Sequence, residues 1–305
     1  MLAQPIPERR RGAVKSRILI VGSGDLARRT IPRLARRATV FALYRRPEAA
    51  VGLRALGAIP VPGDLDRPGS LKRLAGLADA VLHFAPPPPE GEADRRTARL
   101  LAALARGGRS PGTLVYVSTS GVYGDCAGEL VAETHPLNPT TPRARRRVDA
   151  ETRLRRFAPR RGCRLAILRA PGIHAADRLP AERLVRGDPV LVEGEDVFTN
   201  HVDADALAGL AITALHRVRG LRVYNACDGV HRKMGDYLDA VADFLGLPRP
   251  PRLSRSEITN RLSPLSLSFL SESRRLDAGR IVRELRCPPP ADFLARPEHR
   301  ETHDD

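Results

Sequence analysis

Along the chain, continuous apolar runs alternate with segments whose apolar residues recur at helical spacing. Ile18 to Val21 run straight into Gly22-Ser23-Gly24; Leu26, Ala27, Ile31, Leu34 and Ala35 then repeat every three or four positions, and Val40 to Leu43 is a second apolar run. Short uninterrupted runs read as strands covered on both faces, and the spaced set reads as one buried helix stripe. The rhythm continues with a helix over Glu48 to Leu56, strands over Ala58 to Val61 and Ala78 to Ala85, a helix over Asp94 to Arg106, and a strand over Thr113 to Ser118. A helix over Pro142 to Arg156 and a strand over Arg164 to Leu168 complete it. Strands alternating with helices predict an α/β protein with a doubly wound, mostly parallel sheet.

The turn after the first strand carries a specific chemistry. Gly22 permits the sharp exit, Gly24 lets the backbone approach a pyrophosphate, and Ala27 is small enough for the helix to pack on the strand. The free N–H groups of Ser23, Gly24, Asp25 and Leu26 open the helix, where its dipole favours an anion. A G-x-G-x-x-A turn flanked by a strand, a helix and a second strand predicts a dinucleotide site on a Rossmann sheet. In NAD sites a carboxylate about 20 residues on holds the ribose 2′-hydroxyl. Here Tyr44 stands 22 residues after Gly22, followed by Arg45 and Arg46, and no acid lies between Asp25 and Glu48. A guanidinium pairs bidentately with a 2′-phosphate, so the expected cofactor is NADP(H) ahead of NAD(H).

Two further loops belong to the same end of the sheet. Asp64 and Leu65 follow the third strand, and two readings of Asp64 stand: an acceptor for the adenine amine, or a turn aspartate ahead of Ser70. Ala85 and Pro86 open a run of four prolines, Pro86 to Pro89, which ends the fourth strand and carries the chain past the cofactor ribose.

Beyond Leu168 the rhythm loosens. Helices are expected over Leu179 to Arg186, Val202 to Leu215, Met234 to Leu245 and Ser271 to Leu285, with short strands at Val190 to Val192 and Arg222 to Asn225. This divides the chain into a disordered basic leader over 1–16, a dinucleotide-binding domain over 17–170 with 202–228 returning to it, and a smaller C-terminal substrate lobe from 171–200 and 229–290. Residues 291–305 read as a polar tail, its character beginning at Cys287.

Composition narrows the function classes. The formal charge of +16 is carried by 51 basic residues, of which only Lys15, Lys72 and Lys233 are lysine. The arginines are spread along the chain without interleaved aromatics or a nucleic-acid-binding motif, so specific nucleic-acid recognition is not expected. No apolar run is long enough to cross a membrane, and Met1 to Arg17 lacks the apolar core of a signal peptide, which predicts a cytoplasmic protein. Cys126, Cys163, Cys227 and Cys287 lie far apart, without a C-x-x-C or a histidine at ligand spacing, so no metal site is expected and the thiols read as packed and reduced.

VYVSTSGVYGD, ETHPLNPTTPRARRRVDAE, RAPGIH at Arg169 to His174 and NHVDADALA at Asn200 to Ala208 make the chain resemble the short-chain dehydrogenase/reductase superfamily, closest to its extended and atypical epimerase/dehydratase branch. The resemblance spans roughly residues 17 to 285. It implies that Thr119 hydrogen-bonds a substrate oxygen and that Val122-Tyr123-Gly124 is structural. It also implies a homodimer paired through the helices at 94–106 and 142–156, and a small-molecule substrate. The superfamily's Tyr-x-x-x-Lys pair falls, by position after Pro142, on Arg143 and Arg147. A phenol passes a proton to substrate when a neighbouring cation lowers its pKa; a guanidinium keeps its proton at neutral pH. Arg143 and Arg147 are therefore expected to act by charge, Arg143 on a substrate carbonyl, carboxylate or phosphate and Arg147 toward the nicotinamide ribose or a phosphate. His174 is the remaining candidate at the substrate cleft, and Arg169 reads as a scaffold cation buried against a carboxylate. Three functions follow: hydride transfer to a carbonyl-type substrate without the usual acid–base pair, a non-catalytic NADP(H)-sensing or scaffold role, and nucleotide-sugar epimerisation or dehydration.

Overall fold

The structure, a computed structural model, describes residues 15–292 and 294. The expected leader lies almost wholly outside the described residues, as does most of the expected tail.

The first half forms β1 (Arg17–Val21), α1 (Asp25–Ala35), β2 (Thr39–Tyr44), α2 (Ala49–Ala55), β3 (Ile59–Pro62), β4 (Ala80–His83), α3 (Arg95–Ala105) and β5 (Thr113–Thr119). A two-residue strand, β6 (Leu130–Val131), precedes the long helix α4 (Pro142–Arg160) and β7 (Arg164–Ala170), and the short β8 (Gly172–His174) follows. Seven strands make one parallel sheet, completed by a later strand, β12 (Leu221–Asn225), in the order β12-β7-β5-β4-β1-β2-β3. The chain winds outward from β1 through β2 to β3 and then returns to the other side at β4. Such a switch point opens a crevice at the carboxyl ends of β1 and β4, where ligands bind in doubly wound sheets.

Both faces of the sheet are covered. Ile18, Ile20, Val40 and Ala42 alternate onto the face packed by α1 and by α6 (Ala204–Arg217), while Leu19, Val21, Val81 and Leu114 point to α3 and α4. This two-sided burial is why the strands read as unbroken apolar runs.

The smaller lobe contains α5 (Ala181–Val185), β9 (Val190–Leu191), β10 (Phe198–Thr199) and β11 (His201–Asp203), which pairs with β8. It continues through β13 (Arg232–Lys233), α7 (Met234–Leu245), β14 (Arg252–Leu253), α8 (Arg255–Ile258), α9 (Pro264–Leu270) and β15 (Arg275–Leu276).

The helix expected over Ser271 to Leu285 is not there. Arg275 and Leu276 instead pair as β15 with β6, 145 residues away in sequence, and Asn200 fixes the strand by accepting from the Leu276 N–H (2.8 Å) and donating to the Arg274 carbonyl (2.8 Å). Long-range pairing overrides local propensity in this stretch. Helix is confined to 279–285, where Ile281–Leu285 forms a single wide π turn, and Ile281 and Leu285 pack into the main sheet core, not the lobe. Within the stretch read as a polar tail, Cys287 packs on the sheet core, Asp292 pairs with Arg232, and Leu294 is buried against α7.

Candidate active site

Five sequence-singled segments converge at the carboxyl ends of β3, β2, β1, β4 and β5. Gly22 lies at φ +100°, and a Cβ built on it would come within 2.5 Å of the Ala85 backbone nitrogen, so the glycine turn and the loop after β4 are in direct contact. The Val21 carbonyl holds that loop by accepting from the N–H groups of Phe84 (2.8 Å) and Ala85 (2.9 Å). Gly24 is different: a Cβ built there meets nothing within 4 Å. It is the N-cap of α1 and brings no side-chain cap to the helix, so the first N–H groups gain no side-chain acceptor from the cap residue. These features fit a dinucleotide pyrophosphate. Asp25, in the first turn, is held below the usual carboxylate range by Arg29 and Arg178 although partial burial opposes this; the bonds measure 3.0 and 2.9 Å.

On the adenosine side, Tyr44 is half-buried while Arg45 and Arg46 are exposed and make no ion pair among the described residues. A cavity of about 330 Å³ beside Ser23 has Arg28 and Glu48 in its walls, and Arg28 was not singled out in the sequence. One Asp64 oxygen accepts the Asp66 N–H at 2.9 Å, closing its own turn, and Leu65 is buried beside it. Arg96 ties this loop to the proline loop, pairing with Asp66 and donating to the Pro87 carbonyl at 3.1 Å.

The second half of the site is a cavity of about 440 Å³ beyond β5, floored by Thr119 and Ser120 and roofed by Phe198, Met234 and Phe269. Thr119 Oγ1 accepts the Gly121 N–H at 3.2 Å, which leaves its own proton free to donate into the cavity. Arg143 enters from the first turn of α4; its guanidinium stacks 4.3 Å from the centre of the Phe269 ring and donates to Ser268 Oγ at 3.2 Å. Arg178 and Arg274 also line the cavity, against a single carboxylate, Glu272. Glu272 is already engaged, accepting from Thr140 (2.8 Å) and Arg274 (2.9 Å). None of the chain's five tyrosines lines this cavity.

Arg147 does not join Arg143. Its Nη1 donates to the Tyr116 hydroxyl (2.9 Å) and the Val117 carbonyl (2.8 Å), beneath the cavity floor. Burial pushes the Tyr116 phenol up to about 12 even with Arg147 beside it, so it stays protonated. His83, 5.0 Å from that ring, is pushed down to about 3 by burial and by the Arg147 charge, and bonds Thr97 at 2.8 Å. His174 is buried on β8 with its ring parallel to His201 at 5.5 Å; it is His201, stacked on Tyr237, that lines the cavity. Burial and the neighbouring His174 and Arg232 hold His201 at about 3, a neutral imidazole.

The framework beneath is ionic. Arg169 and Glu151 have side chains 2% and 1% exposed and form a two-point pair (3.1 and 2.8 Å), with Ser118 Oγ donating to the same carboxylate at 2.7 Å. The scaffold role read for Arg169 is what its geometry provides. Tyr123 donates to Asn225 Oδ1 at 2.7 Å inside the core, away from the cavity. Sequence reading missed Arg178, Phe269, Glu272 and Arg274. Only the helix bearing Phe269 left a signal, the Ser263 cap followed by Pro264 at its first position.

The sequence pattern described as the NAD dependent epimerase/dehydratase family matches residues 18–182. Over 239 residues the chain is 29% identical to GDP-6-deoxy-D-mannose reductase of Pseudomonas aeruginosa, covering 65% of this chain and 76% of that protein. A conserved, functionally unknown protein from Silicibacter pomeroyi superposes with a TM-score of 0.72 at 27% identity, over 89% of this chain and 93% of the other. UDP-glucose 4-epimerase from Thermus thermophilus, solved in complex with NAD, superposes with a TM-score of 0.69 at 22% identity, over 91% and 95% of the two chains. At that identity the likeness speaks for the fold.

Proposed function

Because the chain belongs to the NAD dependent epimerase/dehydratase family, we propose that it is an NADP(H)-binding oxidoreductase whose carbonyl-type substrate carries an anionic group. The observation that carries this reading is a cavity with three arginines, one engaged carboxylate and no phenol beyond β5, on the same sheet edge as a tight glycine turn packed against the loop after β4. Ser23 to Leu26 would hold the pyrophosphate, Arg45 and Arg46 the 2′-phosphate with Tyr44 against the adenine, Asp64 and Leu65 the adenine rim, and Ala85 and Pro86 the ribose. A bound nicotinamide supplies or accepts the hydride.

The protein's own groups then act on the substrate. Thr119 donates to the reacting oxygen with the proton its geometry leaves free. Arg143 stabilises negative charge on that oxygen or anchors a carboxylate or phosphate next to it, held in place by Phe269 and Ser268. His201, neutral and buried, donates a hydrogen bond and not a proton. Proton delivery is left to water. The relative named GDP-6-deoxy-D-mannose reductase places nucleotide sugars, which carry a diphosphate, first among the anionic carbonyl compounds to be screened.

The test is NADPH consumption across matched carbonyl compounds with and without a phosphate or carboxylate. Arg143→Ala should raise KM for the anionic members by about tenfold or more, the loss of one charge-assisted contact, while NADPH affinity holds. Thr119→Ala should lower kcat. Turnover unchanged in both variants would refute these roles.

One observation favours the second reading, a non-catalytic NADP(H) sensor. Arg147, at the position of the superfamily's lysine, is bonded into β5 and not presented to the cavity. Cofactor-dependent capture of a partner with no NADPH oxidation across the panel would select it. A homodimer through α3 and α4 belongs to either reading. Their outer faces carry Arg95, Arg99, Arg153 and Arg156 and no strongly exposed large apolar residue, so sedimentation should show association strengthening with salt.

A further inference from the structure

At the end of the sheet opposite the cofactor crevice, where α6 finishes and β7 and β12 begin, the surface holds a groove of about 680 Å³. Six of the ten residues lining it are arginines: Arg164, Arg217, Arg219, Arg222, Arg283 and Arg286. Glu284 is its one carboxylate, and it is engaged: Arg222 Nε pairs with it at 3.1 Å and the Tyr224 hydroxyl donates to it at 3.2 Å. Arg217 is also committed, donating to the Leu285 carbonyl at 2.6 Å and the Arg286 carbonyl at 3.2 Å. The guanidinium groups of Arg164, Arg219, Arg283 and Arg286 make no ion pair among the described residues.

The backbone on one wall is unusual in the same place. Ile281–Leu285 is the π turn, and Arg286, which ends it, sits in the left-handed region at φ 49°, a conformation an arginine adopts at a cost. Arg217 clamps both carbonyls of that junction, so Arg286 is held at the groove rim by a bond from the opposite wall. Six like charges around one concavity repel one another, and an anion seated among them relieves that repulsion. Arginine forks match phosphate oxygens in pairs, and a groove of this size with four uncommitted forks exceeds what a single phosphate engages. Of the two aromatic side chains in the walls, Tyr224 is buried, with 1% exposure, and His216 is the one exposed ring on which a base could stack.

We propose that this groove is a binding site for a chain of linked phosphates, either inorganic or the phosphate tail of a nucleotide, separate from the dinucleotide crevice. Calorimetric titration with inorganic tripolyphosphate, and separately with ATP, at low and at physiological ionic strength tests it on the full chain. The site predicts saturable one-to-one binding of tripolyphosphate that weakens with salt. The combined change Arg164→Ala, Arg219→Ala and Arg283→Ala should weaken it by at least about tenfold. These side chains are exposed and make no ion pair among the described residues, and Arg219→Ala alone reports in the same direction should the triple variant fail to fold. Equal affinity for tripolyphosphate and ATP assigns the phosphate chain alone; tighter binding of ATP, lost in the same variant, assigns a nucleotide. A control triple change on the outer faces of α3 and α4, Arg95→Ala, Arg153→Ala and Arg156→Ala, should leave binding as it was. No saturable binding at low salt, equal binding in the groove variant, or equal weakening in the control variant would overturn the proposal, as would binding confined to long nucleic acid.

Discussion

Replacing Glu151 by alanine removes the anion on which the active-site framework is built. Arg169 is 1% exposed and would lose both of its bonds to the carboxylate (3.1 and 2.8 Å), retaining only a 3.3 Å bond to the Glu133 carbonyl. Ser118 would lose its acceptor as well, and it directly precedes Thr119 at the cavity floor. Breaking a buried ion pair from one side costs about 3–5 kcal/mol, because the remaining charge stays desolvated and unmatched. With an unfolding entropy of about 2.1 cal/mol/K per residue, the 305-residue chain should lose about 5–8 °C in Tm. Thermal unfolding followed by circular dichroism, backed by a urea titration, measures this. Glu151→Gln, which keeps an acceptor, should cost roughly half as much. The double change Glu151→Leu with Arg169→Leu should recover most of the loss, since an apolar pair replaces the ionic one without a stranded charge. A loss below about 1 kcal/mol for Glu151→Ala would mean that Arg169 finds solvent or another partner, and the framework argument would fail.

Gly22→Ala forces a side chain against the Ala85 backbone at φ +100°. It should lose about 1–3 kcal/mol from the torsion alone, read as a drop in urea midpoint. His83 is near pKa 3 in the folded protein against 6.5 when free. Between those values only the unfolded chain takes the proton, so stability is complete above pH 6.5 and falls on acidification toward 3, by about 1.4 kcal/mol per pH unit. Urea midpoints from pH 6.5 to 5 should therefore fall more steeply for the wild type than for His83→Gln; parallel slopes would show that His83 is protonated in the fold.

The parts of the fold that were legible in the sequence are those in which local pattern and final environment agree. Ile18 to Val21 and Thr113 to Ser118 are buried on both faces and read as strands for that reason. The glycine turn is legible because Gly22 meets the Ala85 backbone and Gly24 faces open space, two demands that a residue type can express. Arg169 announced its role by standing in an apolar strand, where a cation needs a carboxylate. Illegible were the contacts between residues far apart in sequence. Arg143 and Arg147 share a helix and a spacing of four, but Phe269 and Ser268 capture one while Tyr116 and Val117 capture the other. The extended Arg275 and Leu276 depend on Asn200 and on β6, neither of which a local window includes. Arg178 reaches the cavity from a single 3-10 turn and Arg274 from a loop, neither with a period to read.

A pyrophosphate seated at the uncapped start of α1, with Arg45 and Arg46 beside a 2′-phosphate, would make the protein bind NADP(H) ahead of NAD(H). Calorimetric titration of the protein with NADP(H) and NAD(H), repeated on Gly24→Asp, tests this, since a Cβ at Gly24 meets no atom within 4 Å. Binding should favour NADP(H) and be abolished by the aspartate, with Tm of the unliganded variant unchanged. Absence of binding by either cofactor to the wild type, or affinity untouched by the substitution, would contradict it.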